Sequence, residues 1–421
     1  MGPKRTDLES GAIVVSEPML GAQSVSFALY FPTGSRHETQ QNNGISHFIE
    51  HLVFKGTRTR SAEEINREID LLGGASNAYT GKEVLCLHSR VLAEHLTRVV
   101  DLFADLATHA LPDGVDSEIE REREVILSEI SAVEDSPEDL VGELCDHAYF
   151  GEHPLALPVA GSARAVQHLA PAQLRRHFCQ HIVARDMVVA AAGQVEHEAL
   201  VELVRGSLGG IAPGASQTPL TAPRQERQTR VLERDLEQVH VCLSATGVSR
   251  SERRRRAAEL LSLIIGDGYS SRLFREVRDR RGLAYSIYTS LASYLDAGSF
   301  NIYFAVVPGK LDETLAVVGR VLAEVRAGGV TSEELATAKL HLRTSSLLGY
   351  ESTGARMAYL AEQVMLGDPE LSLAAELEAV ERTSLEELRE LAAELLSAPL
   401  ALAAVGPVPA DLGADGWEIP A

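Results

Sequence analysis

Long apolar runs and paired cysteines are both missing from this sequence. No stretch of about 18 apolar residues occurs, so we expect no membrane-spanning segment. The N-terminal residues 1–7 contain no apolar core of the length that a secretory signal needs. The four cysteines are scattered without a Cys-x-x-Cys pair, which favours free thiols in a reducing compartment over disulfides or a thiolate zinc site. We therefore expect a cytoplasmic protein.

Basic charge is also in short supply. Lys and Arg number 39 against 60 Asp and Glu, which gives a net charge of −21. This balance argues against nucleic acid and anionic membranes as partners. The acidic charge would suit a positively charged substrate. An equally good interpretation is that it only keeps the protein in solution. The charge alone does not separate these two interpretations.

The chain is long enough to contain an internal repeat. At 421 residues it exceeds what one hydrophobic core usually supports. Residues 211–223 have the Gly, Pro and Ser content of a linker, so we predict domains at 1–210 and 224–421. An offset of 208 residues places Ile65–Ile69 over Leu273–Val277 and predicts that the two domains share one architecture.

Local patterns predict the main elements of the first half. Residues 25–31 alternate as a half-buried strand does. A capping box at 61–64 opens a helix that Gly73 ends. One strand is expected from Asn77 to about Val91, and residues 116–150 form a strongly helical stretch rich in glutamate.

The segment His47-Phe48-Ile49-Glu50-His51 is the main functional motif. On a helix, His47 and His51 lie one turn apart on a single face, with Glu50 pointing to nearly the same side. This is the dihistidine arrangement of zinc peptidases in the His-x-x-Glu-His direction. A histidine pair that is simply packed or solvated is the ordinary alternative. The repeat offset places Arg255, Ala258 and Glu259 over the three motif residues, so the second half lacks the motif.

Two glutamates in the helical stretch are candidates to complete such a site. Glu122 and Glu129 are seven residues apart and therefore on one side of the helix. They flank an apolar stripe of Ile119, Ile126 and Ile130, where a carboxylate is less easily explained as solvated. A catalytic zinc ion needs three protein ligands and a water, so a third ligand is expected from this helix.

The whole chain, from about Leu8 to Val405, resembles the inverzincin family (M16) of zinc peptidases, which contains mitochondrial processing peptidase, pitrilysin and insulin-degrading enzyme. It looks most like the bacterial processing-peptidase-like branch. The resemblance implies an α+β fold of two homologous domains, each a mostly antiparallel sheet packed against helices, as in LuxS and the processing peptidases. The motifs that carry it are His47–His51, Gly73–Thr80, Glu120–Pro137, Met187–Gly193, Ser270–Phe274 and Arg281–Tyr285.

The resemblance implies a zinc metalloendopeptidase of the M16B type with one Zn²⁺ per subunit. His47, His51 and Glu129 would be the metal ligands and Glu50 the general base. Mn²⁺ or Co²⁺ would also suit these ligand types. In one respect the sequence departs from the family: Glu129 lies one residue further from His51 than is usual. Ser128 occupies the strictly spaced position and is a poor zinc ligand, so we expect a one-residue insertion in an intervening loop.

The resemblance assigns further roles outside the ligand set. Glu122 would orient a ligand histidine. Arg278 and Tyr285 would bind the scissile carbonyl and stabilise the oxyanion. Asn77 and Ala78 would lie on the edge strand that receives an extended substrate. Without the family context, a surface ion pair for Arg278 and a packed strand aromatic for Tyr285 are the ordinary alternatives.

The family closes two double-domain halves around a chamber, and this chain supplies one half. Because it carries both the metal motif and the Arg/Tyr pair, we expect a homodimer in which Arg278 and Tyr285 act in trans. Two alternatives remain open: a catalytically silent scaffold subunit of a larger assembly, and a subunit that needs a different partner. The substrates would be unstructured peptides or presequences.

Overall fold

The computed structural model describes residues 2–215, 220–367, 371–408, 412 and 416–420. Residues 216–219 of the predicted linker lie outside this range. None of the described helices is long and apolar enough to cross a membrane. The strands are β1 (Lys4–Asp7), β2 (Ile13–Pro18), β3 (Ser24–Phe31), β4 (Ala75–Thr80), β5 (Leu85–Leu92), β6 (Val188–Gly193), β7 (Thr229–Glu233), β8 (Val239–Thr246), β9 (Ala284–Ser293), β10 (Gly298–Val306) and β11 (Ala401–Gly406).

The helices occupy most of the sequence between these strands, and a π-helix covers Phe274–Asp279. The α-helices are α1 (Ile45–Leu52), α2 (Ala62–Leu72), α3 (Leu96–His109), α4 (Asp116–Glu134), α5 (Pro137–Phe150), α6 (Ala163–His168), α7 (Pro171–His181), α8 (His197–Ser207), α9 (Arg255–Ile265), α10 (Leu311–Arg326), α11 (Ser332–Gly349), α12 (Thr353–Met365), α13 (Leu373–Arg382) and α14 (Leu385–Leu395).

The fold consists of two compact units that repeat one topology. The sheet of the first unit has the strand order β1-β2-β6-β3-β5-β4, and that of the second has the order β7-β11-β8-β10-β9. In both sheets one pair is parallel, β2 with β6 and β7 with β11. The neighbouring pairs are antiparallel. The predicted α+β fold of two related, mostly antiparallel sheets with helices is confirmed.

Each unit contains a helix from the other half of the sequence. The described residues of the first unit fall within Met1–Ser131, Leu157–Leu220 and Leu347–Ser372, and the rest of the chain forms the second. Helix α12 accordingly packs on β2, β3 and β6, whereas α5 packs on β8 and β11. The domain bounds 1–210 and 224–421 remain a prediction, since the compact units are not continuous halves of the chain.

One of the local predictions needs correction. The single strand expected from Asn77 to Val91 is a hairpin of β4 and β5, in which Gly81 N donates to Val84 O at 2.7 Å. The helical stretch 116–150 is confirmed, and it consists of two helices because Ser136 caps a new helix that begins at Pro137. The capping box of Ser61 and Glu64 and the left-handed Gly73 also bound α2 as predicted.

The core of the first unit positions the motif helix. Helix α1 buries Ile45, Phe48, Ile49 and Leu52 and packs against α7 and β4. His47 and His51 lie on the side of α1 that faces the glutamates of α4. Fully burying side chains of this size contributes about 1.5–3 kcal/mol each, which fixes the helix firmly in the unit.

Candidate metal centre

The N-terminus of α1 is held by a buried carboxylate. Glu38 is 2% exposed, and its oxygens accept from the backbone N–H of Gly44 at 2.7 Å and of Ser46 at 2.8 Å. Gly44 has φ of 92°, and a Cβ there would lie 2.7 Å from the carbonyl oxygen of Ala160. The start of the motif helix is therefore fixed by a side-chain cap and by a position that only glycine fits.

The two motif histidines share one side of α1 with their rings edge to face. Their centroids are 4.7 Å apart at an interplanar angle of 71°. Burial, together with the smaller effect of the nearby His51, lowers the pKa of His47 to about 4. Because His47 is neutral at pH 7, one of its ring nitrogens offers a lone pair. A neutral imidazole is the form that binds a metal ion.

Glu129 on α4 faces both histidines. Its Oε2 lies 3.8 Å from Nε2 of His47 and 3.5 Å from Nε2 of His51. The donor atoms of the three residues all lie within 4.8 Å of one another. In a tetrahedral zinc site with bonds of about 2.1 Å, neighbouring ligand atoms are about 3.4 Å apart. The spacing of these three donors therefore fits one zinc ion.

A buried polar atom beside the three donors also fits a bound ligand. Among the described residues, Oε2 of Glu50 is buried without a hydrogen-bond partner. Buried polar groups are normally paired, so this oxygen indicates a missing partner. Nδ1 of His47 is unpaired as well, but it is Nε2 of that ring that lies near Glu129. Burial raises the pKa of the Glu50 carboxyl, while the nearby Thr80 and His51 oppose the rise.

Glu122 lies on the other side of His51. It is 7% exposed, and its Oε2 lies 3.2 Å from Nδ1 of His51. Nε2 of the same ring faces Glu129, so the two nitrogens of His51 contact two different carboxylates. This is the arrangement in which a carboxylate orients a metal-binding histidine.

The geometry brings together the residues that the sequence proposed for this site. His47, His51 and Glu129 converge, Glu50 lies on the same helix, and Glu122 contacts His51. Ser128 is exposed and does not belong to the group of potential ligands. The stripe of Ile119, Ile126 and Ile130 is buried, which turns this face of α4 towards α1.

The edge strand β4 runs beside α1. Asn77 is exposed and Ala78 is 5% exposed, and the Asn77 Oδ1 accepts from the backbone N–H of Ala78 at 2.9 Å. In the described sheet β4 pairs only with β5. Its other side therefore has the geometry to accept an added strand.

Arg278 and Tyr285 lie together in the second unit. The guanidinium carbon of Arg278 is 4.8 Å from the ring centroid of Phe274 and 4.5 Å from that of Tyr285. Among the described residues this guanidinium has no ion pair, unlike Arg272 and Arg280 nearby. Tyr285 is 75% exposed, so it is not a packed strand aromatic. The pair presents a cation and a phenol that are free to bind a ligand.

Three residues near these groups were missed by the sequence analysis. Phe274 stacks on Arg278, which lies four residues later, and this spacing on a helix was the available signal. Arg123 donates to the carbonyl of Leu169 at 2.8 Å and lies 5.3 Å from the ring of Phe48, which ties α4 to α1. Lys55 contacts Glu122, and its place four residues after His51 was the available signal.

The repeated sheets and the His-x-x-Glu-His helix with its carboxylate partner define the inverzincin class of metallopeptidases. Sequence profiles agree with this class: the one described as Insulinase (Peptidase family M16) matches residues 13–163, and the one described as Peptidase M16 inactive domain matches residues 168–342. The chain belongs to peptidase family M16.

Relatives and solved structures extend this comparison. A Streptomyces coelicolor protein named an uncharacterized zinc protease is 36% identical over 96% of this chain and 90% of its own. The crystal structure of a peptidase M16 inactive domain from Pseudomonas fluorescens has a TM-score of 0.90 at 20% identity, over 97% of this chain and 99% of that one. A chain of complex III from Candida albicans has a TM-score of 0.84 at 20% identity, with 96% of both chains covered. The two structural likenesses show the fold alone.

Proposed function

We propose that the chain is a zinc-dependent endopeptidase that cleaves unstructured peptides or presequences inside a chamber formed by two subunits. The observation that carries the proposal is the convergence of His47, His51 and Glu129 beside the unpaired carboxylate oxygen of Glu50. Relatives of this chain are named uncharacterized zinc proteases, and these names support the same chemistry.

The protein's own residues divide the reaction between them. His47, His51 and Glu129 would hold one zinc ion, which supplies the Lewis acidity that polarises a peptide carbonyl and acidifies water. Glu50 takes the proton of the attacking water at its unpaired Oε2 and later delivers it to the leaving amine. Glu122 keeps His51 oriented throughout.

Substrate binding falls to β4 and to the Arg278/Tyr285 pair. An extended peptide adds to the free side of β4 at Asn77 and Ala78 through backbone hydrogen bonds. The guanidinium of Arg278 and the hydroxyl of Tyr285 donate to the scissile carbonyl oxygen as it gains negative charge. An exposed phenol beside an arginine with no ion pair among the described residues supports this role.

The metal and the base can be tested on one pair of proteins. Wild type and Glu50→Gln are compared for zinc content by mass spectrometry and for cleavage of a quenched peptide library. Glu50 is not among the three potential ligands, so we expect about one zinc per chain in both and cleavage by wild type alone. Zinc without cleavage in wild type would favour a missing partner subunit, and no zinc in either would favour the scaffold function.

We also propose that the active species is a homodimer in which Arg278 and Tyr285 of one subunit complete the metal centre of the other. A mixture of Glu50→Gln and Tyr285→Phe subunits tests this arrangement, because each subunit supplies what the other lacks. In a verified heterodimer, we expect one intact site and recovery of up to about half the wild-type activity per dimer. A heterodimer with no recovered activity would contradict action in trans.

A cytoplasmic location is part of the same proposal. The four cysteines are unbridged, and Cys86, Cys145 and Cys242 are buried. Buried free thiols are typical of proteins in reducing compartments. Fractionation of cells with an antibody against the protein would test this location.

A further inference from the structure

Lys55 lies against the carboxylate that contacts His51. Its Nζ is 2.7 Å from Oε1 of Glu122, while Oε2 of Glu122 is 3.2 Å from Nδ1 of His51. The backbone N–H of Lys55 donates to the carbonyl of Leu52 at 3.0 Å, so the lysine lies in the turn that closes α1. The two oxygens of one carboxylate are therefore divided between an ammonium and an imidazole.

The burial of Glu122 makes this ammonium important. The Glu122 side chain is 9% exposed, and that of Lys55 is 35% exposed. A buried carboxylate is costly unless it is paired and hydrogen-bonded. Among the described residues, Lys55 is the one lysine or arginine that contacts Glu122, so it supplies the balancing charge.

The pairing also determines how His51 presents its lone pair. With Oε1 held by Lys55, the carboxylate plane is fixed and Oε2 remains to accept from Nδ1–H of His51. A neutral histidine that carries its proton on Nδ1 has its lone pair on Nε2. Nε2 of His51 is the atom that faces Glu129 at 3.5 Å.

We propose that Lys55 is a positioning residue of the metal centre, which fixes the tautomer and orientation of His51 by holding Glu122. This inference rests on the proposed metal-dependent function. It assigns to Lys55 a role in metal affinity, although Lys55 contacts neither the proposed ligands nor the substrate-binding residues named above.

A surface ion pair of the same length provides a matched control. Lys4 Nζ is 2.7 Å from Oε1 of Glu198, but these side chains are 46% and 65% exposed. Exposed pairs of this kind contribute little. Lys4→Met and Lys55→Met therefore remove the same kind of contact, once on the surface and once behind the histidine.

The test measures the zinc dissociation constant of metal-free protein by competition with a chelator. Loss of a residue that supports a metal ligand weakens binding by about 10–100-fold. We expect about tenfold weaker binding for Lys55→Met, wild-type affinity for Lys4→Met, and recovery of most of the affinity in Lys55→Arg. In a Glu122→Gln background, Lys55→Met should add less than about twofold, because the carboxylate it holds is gone.

A spectroscopic measurement separates positioning from general stability. In ¹⁵N-labelled metal-free protein, the ring nitrogens of His51 are assigned by their loss in His51→Gln. We expect the Nδ1–H tautomer in wild type and Lys55→Arg and a mixture of tautomers in Lys55→Met. If Lys55→Met does not fold, Lys55→Gln, which has a similar length and no charge, replaces it in both experiments.

Two results would overturn the inference without affecting the proposed function. One is wild-type zinc affinity in a folded Lys55→Met. The other is a further loss of about tenfold on adding Lys55→Met to Glu122→Gln, since independent effects would exclude action through Glu122. If wild type itself bound no zinc, the proposed function would fail and this inference with it.

Discussion

Helices α1 and α9 occupy matching positions in the two units, but their polar side chains differ in the partners that they contact. In α1, the buried Nδ1 of His47 and Oε2 of Glu50 have no hydrogen-bond partner among the described residues. In α9, Arg255 pairs with Glu376 at 3.0 Å and Glu259 pairs with Arg256 at 2.5 Å. The first helix carries an unpaired carboxylate oxygen of Glu50 next to the candidate metal ligands. The charged side chains of the second form ion pairs, although Nε of Arg256 is also buried without a partner in the described part of the chain.

The helices behind α1 and α9 differ in the same way. Helix α1 packs against α7, where the rings of His177 and His181 stack at 4.0 Å and His177 Nε2 lies 3.2 Å from Ser46 Oγ. Helix α9 packs against α14, whose buried positions are Leu388, Leu391 and Leu395 together with Ala392. One topology thus places a helix with stacked histidines behind α1 and a helix with buried leucine and alanine side chains behind α9.

Removal of a ligand from α1 should have the largest effect. His51→Ala deletes a donor that faces Glu129, so we expect loss of bound zinc and at least a 10³-fold fall in peptide cleavage. Glu259 is at the position that matches His51 in the repeat, and Glu259→Ala should leave zinc content and peptide cleavage within about twofold of wild type. Zinc content and cleavage are measured on both variants, and equal losses would break the contrast between the helices.

Substitutions can distinguish Glu129 from Ser128 as the third metal ligand. Glu129 faces both histidines, whereas Ser128 is exposed and outside the group of potential ligands. Glu129→Ala should therefore weaken zinc binding by at least about 100-fold, while Ser128→Ala leaves the dissociation constant unchanged. The opposite result would restore the strict family spacing and place the ligand at Ser128.

The second unit should contribute to catalysis through its edge strand, not through α9. Tyr285→Phe removes a hydroxyl that we assign to the oxyanion, and one such donor is worth about 10²–10³ in kcat. Zinc content should not change. Tyr288→Phe, on the same strand, is the control because its hydroxyl donates to Glu138 at 2.8 Å. Similar kcat values for the two variants would exclude the proposed role of Tyr285.

The smallest expected effect concerns acid stability. Burial lowers the pKa of His177 to about 3 and that of His181 to about 4. Below pH 6.5 the unfolded chain binds protons that the folded chain does not, so the free energy of unfolding falls as the pH drops towards 4. His177→Gln should reduce the loss between pH 7 and pH 5 by up to about 2 kcal/mol.

Urea unfolding of metal-free protein at the two pH values measures this difference. His168→Gln serves as the control because His168 is exposed. An unchanged pH dependence in His177→Gln would show that the histidines behind α1 do not titrate with folding.

The metal motif was predictable because its geometry is local. His47, Glu50 and His51 need only one helical turn, and the apolar residues of α1 fix which side is buried. Glu122 and Glu129 were predictable for the same reason, since a seven-residue spacing on a helix keeps both on one side. The roles of these residues came from the family resemblance, and only measurements of binding and cleavage will test them.

Features that depend on tertiary packing were not predictable. Nothing in residues 137–150 indicates that α5 packs on the second sheet, because its apolar face would suit either one. The contact of Lys55 was not predictable, because Glu122 approaches the end of α1 from a separate helix. The hairpin of β4 and β5 was missed because the turn at Gly81 lies within a sequence that otherwise favours strand.

The central claim is that three side chains of the first unit hold one metal ion, and anomalous diffraction tests it most directly. Crystals grown with zinc are measured above and below the zinc absorption edge. We predict one strong anomalous peak per chain, within about 2.3 Å of Nε2 of His47, Nε2 of His51 and a carboxylate oxygen of Glu129. A zinc-loaded crystal with no peak there, or with its peak at other residues, would contradict the account.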